Sequence, residues 1–91
     1  MAKISLFKKH QDSKDDARKK VEGAIDDPVS KFGLSKTWDG DTLKVKGKGV
    51  DGTLVVTENG VDINMKLSLP ASLAKRSIEK QLKAELDQAF G

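Results

Sequence analysis

Residues 47–52 read Gly-Lys-Gly-Val-Asp-Gly, which fits the G-x-G-x-x-G spacing of a dinucleotide-binding loop. That chemistry needs a helix straight after the third glycine, because the pyrophosphate rests on N–H groups at a helix N-terminus. Here Thr53-Leu54-Val55-Val56-Thr57 follows, β-branched and strand-like. The loop is therefore not expected to cradle a nucleotide. Asp39-Gly40-Asp41, with Asp51 further on, has a superficial likeness to a calcium loop. An EF-hand would place an oxygen ligand where Leu43 stands and a glycine where Lys44 stands. Turn formation accounts for these aspartates instead.

Other catalytic chemistry finds few residues to use. His10 is the only histidine and there is no cysteine, so a histidine pair, a thiolate metal site and a Cys-His couple are all excluded. A Ser-His-Asp triad would have to use His10, which falls between a strand and a helix and reads as an exposed junction residue. The carboxylates lie mostly in helix turns and loops, without an inward pair for acid–base work. No catalytic, metal or cofactor-binding residue is expected, and the chain reads as a non-enzyme.

The 91 residues suffice for one domain, residues 1–91. A chain of this size buries roughly 60–65% of its unfolded surface, enough for a modest core. The N-terminal stretch lacks the apolar run of a signal peptide, and no segment approaches the roughly 18 apolar residues of a membrane span. A cytoplasmic location is the expectation. The net charge of +3 is unevenly placed: residues 1–48 hold 12 Lys/Arg and 8 Asp/Glu, whereas residues 49–91 hold 5 and 6. The first half is basic without a dense basic block, which a solvated surface explains.

The elements that would position any site follow from periodicity. Ile4 and Leu6 share one side of a first strand. Asp12 or Ser13 can cap a helix whose stripe is Ala17, Val21, Ala24, Ile25, Val29 and Phe32, with Gly33 as its C-terminal stop. Pro28 predicts a kink in it, or a break. Asn59-Gly60 and Asp39-Gly40 predict tight hairpin turns. The first would set Val56 opposite Ile63, Leu54 opposite Met65 and Gly52 opposite Leu67. The second would set Leu34 opposite Val45, Lys36 opposite Leu43 and Trp38 opposite Asp41. Keeping Leu43, Val45, Leu54 and Val56 on one face pairs Lys46 with Thr53 and Gly47 with Gly52, leaving Lys48 to Asp51 as a four-residue loop. Pro70 would open a final helix with Ala71, Ala74, Ile78, Leu82, Leu86 and Ala89 inward.

The order is β-α-β-β-β-β-α. It predicts an α+β fold, a five-stranded antiparallel sheet of spatial order 2-3-4-5-1 with both helices on its apolar face. Trp38 shares parity with Leu43 and Val45 and is assigned to the core edge. The uncovered face would carry Phe7, Val55, Lys44, Lys46 and Lys66. Single-stranded nucleic acid is bound by several aromatics on a basic sheet, and Phe7 alone qualifies, so nucleic acid is not the expected partner. Phe7 with Val55 could seed a homodimer or a docking patch. Leu73 falls on the polar side of the last helix with no packing role.

Three strings stand in order at close spacing: Phe32-Gly33-Leu34, Trp38-Asp39-Gly40-Asp41-Thr42-Leu43 and Gly49-Val50-Asp51-Gly52-Thr53-Leu54. With the basic amphipathic helix that follows, they resemble the small bacterial proteins of the polyhydroxyalkanoic acid system family over nearly the whole chain. Pro28 departs from the uninterrupted helix expected there. The resemblance implies a non-enzymatic, cytoplasmic accessory protein of polyhydroxyalkanoate storage, in contact with a granule or a granule-bound protein. It supplies no binding residues, since the shared strings are turns. The alternative is a binding module that takes an anionic ligand or nucleic acid on the lysine-bearing sheet face.

Overall fold

The computed structural model describes residues 2–91. Strand β1 (Ala2–Lys9) leads into helix α1 (Lys14–Phe32), followed by β2 (Ser35–Asp39), β3 (Thr42–Gly47), β4 (Val50–Val56), β5 (Gly60–Leu67), a 3-10 turn (Ala71–Ala74) and helix α2 (Lys75–Phe90). The strands form one antiparallel sheet in the order β1-β5-β4-β3-β2, which is the predicted α+β arrangement. Alternation explains it. Ile4, Leu43, Val45, Leu54, Val56, Val61, Ile63, Met65 and Leu67 are all buried against Val21 and Ile25 of α1 and Ile78, Leu82 and Leu86 of α2. The opposite face is left to water.

All three hairpin registers differ from the expectation, each by two residues. Val56 faces Val61, Leu54 faces Ile63 and Gly52 faces Met65. Trp38 faces Leu43 and Lys36 faces Val45; Lys46 faces Asp51 and Gly47 faces Val50. A slip of two keeps every side chain on its face, so hydrophobic alternation cannot distinguish the two registers. The turns decide. Gly40 (φ 61°) takes the first position of the loop Gly40-Asp41, where a II′ hairpin turn wants its glycine, one residue on from the expected Asp39-Gly40, and Gly49 (φ 79°) supplies the left-handed position of a two-residue loop, Lys48-Gly49. In the β4–β5 turn no non-glycine residue takes positive φ, so Asn59 does not supply a left-handed position. The Thr57 side chain closes that turn instead, accepting from the Gly60 N–H at 3.1 Å, while the Thr57 N–H donates to the Gly60 carbonyl at 2.8 Å.

Helix α1 starts at Ser13, whose hydroxyl accepts from the Asp16 N–H at 3.2 Å. Asp15 and Asp16 stand in its first turn, where the helix dipole favours them. It ends at Gly33 (φ 64°) with the Leu34 N–H on the Val29 carbonyl at 2.9 Å, a Schellman closure. Of the kink or break expected at Pro28, the break does not occur: α1 runs without interruption. Pro28 is buried on the core side with Ala24 and Ile25. Packing there and a well-capped end outweigh one missing hydrogen bond. The last helix likewise differs from expectation at its start. Pro70 lies in a turn before it, and the Leu73 N–H bonds the Pro70 carbonyl at 3.1 Å, an i to i+3 link that makes this segment 3-10.

Candidate functional site

The open face of the sheet reads as cross-strand rows. One row runs Lys3, Lys66, Asp51, Lys46, Ser35; the next Ser5, Asn64, Thr53, Lys44, Thr37; the third Phe7, Asp62, Val55, Thr42, Asp39. Phe7, Lys44, Lys46, Val55 and Lys66 thus all stand on the uncovered face. They do not form one patch, because the lysines occupy the first two rows and the apolar pair the third. Phe7 and Val55 are separated by Asp62 on β5, a gap of about 9–10 Å across two strand spacings. The carboxylate between them breaks the apolar continuity that a dimer core would use. Phe7 is 59% exposed, yet its ring covers Gly60, where an added Cβ would come within 2.3 Å of the ring. This aromatic-over-glycine pairing gives Phe7 a structural task on an edge strand.

Between the first two rows lies a shallow groove of about 360 Å³, lined by Lys3, Ser5, Asp51, Thr53, Asn64 and Lys66. Lys3, Lys46 and Lys66 are in no ion pair among the described residues, whereas Lys44 pairs with Asp39 at 3.4 Å. The groove therefore offers cations and hydroxyl or amide groups to a ligand carrying negative charge.

Leu73 lies elsewhere, on the 3-10 turn, and is 83% exposed. Leu69, on the same connection, is 70% exposed. Sequence reasoning passed over Leu69 because it sits between the last strand and the presumed helix start. Its place outside both apolar patterns was the available signal.

His10 corrects an expectation. It is buried, only 6% exposed, and stacks on Phe90 with ring centroids 5.7 Å apart. Its Nδ1 accepts from the Asp12 N–H at 3.1 Å, so Nε2 carries the proton and donates to the Thr57 carbonyl at 2.7 Å. With both ring nitrogens engaged, His10 ties the end of β1 to the β4–β5 turn and the end of α2. Its position next to a strand end gave no sign of burial, because the partners come from residues 47 and 80 positions away.

A second cluster holds the edge strand β2 to α1. The Trp38 Nε1–H donates to Glu22 Oε2 at 2.7 Å, Lys36 bridges Glu22 at 3.2 Å and also pairs with Asp26, and the Arg18 guanidinium lies 4.8 Å above the indole. The hydrogen bond from Lys36 to Asp26, reinforced by Glu22 against the cost of burial, raises the Lys36 ammonium above its ordinary range. At the other edge, Lys8 pairs with Asp87 at 2.8 Å and holds that carboxyl below its usual value. Trp38 is half-buried against the core, as its parity predicts.

The Gly-Lys-Gly-Val-Asp-Gly stretch proves to be a hairpin. An added Cβ at Gly47 would meet Leu34 Cδ2 at 2.4 Å and one at Gly52 would meet Met65 Cγ at 2.6 Å, so these glycines make room for core side chains. Among the described residues no three His, Asp or Glu side chains gather as a metal site would need, and no helix is long and apolar enough to cross a membrane.

The family model described as "Putative polyhydroxyalkanoic acid system protein" matches residues 4–90. The chain belongs to that family. No curated protein matches it. For this polyhydroxyalkanoic acid system protein, the match runs from within β1 to the end of α2 and so takes in residues of all five strands and both helices.

Proposed function

We propose that this chain is a non-enzymatic, cytoplasmic accessory protein of polyhydroxyalkanoate storage, working through surface contact with a granule or a granule-bound protein. The family match over residues 4–90 carries the reading. The engaged ring nitrogens of His10 and the outward placement of Leu69 and Leu73 favour contact over catalysis. Co-sedimentation with granules purified from a polyester-accumulating cell tests it. The protein is expected in the granule pellet; recovery wholly in the supernatant, with coated and with stripped granules, overturns the reading.

A second reading rests on the groove between Lys3, Lys66 and the Ser5–Asn64 pair. There the face would take an anionic ligand or a nucleic acid strand. Such binding should weaken steeply with salt. Absence of any mobility shift with single- or double-stranded nucleic acid at low salt removes the nucleic acid form of it.

A further inference from the structure

The sheet registers bring one end of the molecule together. Lys3, Lys66 and Lys46 form the last full row before the chain turns. Beyond it lie the Lys48-Gly49 loop and the Ser68–Ala74 connection, joined by the Ser68 N–H on the Gly49 carbonyl at 2.9 Å. Lys75 and Arg76 open α2 immediately afterwards. Six cations thus stand at this end of the molecule, three on the open sheet face, one in the Lys48-Gly49 loop and two at the start of α2, with Asp51 in the sheet row and Glu79 beside Lys75 and Arg76 as the acids among them.

None of those six cations is in an ion pair among the described residues, which is equally true of Lys9, Arg18, Lys19, Lys31, Lys80 and Lys83. Two other observations set this end apart. Lys75 and Arg76 stand at the end of α2 where the helix dipole disfavours cations; no acid occupies that first turn, and Glu79 one turn on is the acid beside them. The two most exposed large apolar side chains of the described chain, Leu73 at 83% and Leu69 at 70%, project from the same connection. Ala71 and Ala74 of that connection pack toward the core, so the connection is anchored while its two leucines stay exposed.

Protruding aliphatic side chains at an end of the molecule that also carries several cations suit a lipid headgroup layer, where the leucines enter the acyl boundary and the cations meet phosphates. A nucleic acid strand would satisfy the charges but would gain little from isolated leucines, since it rewards stacking planes. A protein partner needs a packed patch on the order of 1,000 Å², which two leucines on a narrow turn do not make. We infer that this end of the molecule docks peripherally on an anionic phospholipid surface, with Leu69 and Leu73 inserted and the lysines and arginine of that end on the headgroups.

Vesicle flotation tests this independently of the storage reading. The protein is mixed with vesicles of phosphatidylcholine alone and with vesicles containing phosphatidylglycerol. It should float with the second, remain behind with the first, and dissociate as salt rises. Leu69→Ser with Leu73→Ser should weaken partitioning on the order of tenfold or more, and Lys75→Glu with Arg76→Glu comparably, at roughly fivefold for each cation removed. Lys44→Glu on the sheet face should change little. The leucine side chains touch almost nothing, so unaltered thermal melts will show that these variants fold. Failure of the wild-type chain to float with either vesicle overturns the inference. So does undiminished binding of the leucine variant, which would indicate plain electrostatic adsorption. A chain that ignores vesicles but sediments with granules defeats the lipid inference and leaves the granule reading standing.

Discussion

The ring of Phe7 on β1 lies over Gly60 on β5, close enough that an added Cβ would stand 2.3 Å from Cζ and 2.9 Å from the Lys8 carbonyl. Phe7 can swing away, but the Lys8 carbonyl belongs to the backbone. Gly60→Ala should therefore destabilise the protein by roughly 1–3 kcal/mol, as overpacking does. In a Phe7→Ala background part of that cost should disappear, because the ring no longer needs displacing. Urea unfolding of the two single variants and the double variant measures the coupling. Strict additivity would show that the ring does not occupy this seat.

Trp38 and Glu22 give the second prediction. Their 2.7 Å hydrogen bond joins the outermost strand to α1 and is half-buried. A hydrogen bond to a charged group contributes about 1.5–3 kcal/mol when shielded and less when partly wet. Glu22→Ala should cost about 1–2 kcal/mol and also release Lys36 from one of its two acids. Trp38 is the only tryptophan, so its emission reports the change directly. The spectrum of the folded variant should shift to the red, and its urea midpoint should fall.

Which side chains face the core could be read from the sequence, because a strand's period of two leaves a visible alternation at Leu43, Val45, Leu54 and Val56. The register could not. A shift of two residues preserves that alternation, and the choice rests on loops whose geometry depends on Gly40, Gly49 and the Thr57 side chain. Likewise, Pro28 carries a local signal against helix that burial beside Ala24 and Ile25 overrides. For the candidate surface, parity correctly placed Phe7, Val55 and the three lysines on the open face. That Asp62 separates Phe7 from Val55 followed only from the true register. That the Lys48-Gly49 loop meets the Ser68–Ala74 connection, through the Ser68 N–H on the Gly49 carbonyl, is a product of tertiary structure, with no local trace to find.

Lys36 predicts a dependence of stability on pH. Its hydrogen bonds to Asp26 and Glu22 raise its folded-state value above that of the unfolded chain. The stabilisation is then fully present below the unfolded value and is lost as pH rises through the folded one. Both lie at the alkaline end of the scale. Lys36→Met should be less stable than wild type near neutrality. The gap should narrow in strongly alkaline buffer, where wild-type Lys36 loses its charge and its hold on the two acids. Urea midpoints across that range provide the check, and a gap that stays constant with pH would contradict it.

Gly49 carries the last prediction. At φ 79° it adopts the left-handed region, which costs an L-residue roughly 1–2 kcal/mol. An added Cβ would also come within 2.6 Å of the Ser68 carbonyl and 3.2 Å of Ala71. Neither of these can rotate away, because the Ser68 N–H is held on the Gly49 carbonyl and Ala71 packs toward the core. Gly49→Ala should therefore cost about 2–4 kcal/mol, more than Gly40→Ala, whose added Cβ meets nothing within 4 Å despite a similar φ of 61°. The difference between the two isolates the crowding at Gly49 from the backbone penalty that both share. Equal losses in thermal unfolding would show that the β3–β4 loop does not brace the Leu69–Leu73 turn. A larger loss at Gly49 would show that the turn bearing the exposed leucines is anchored from below.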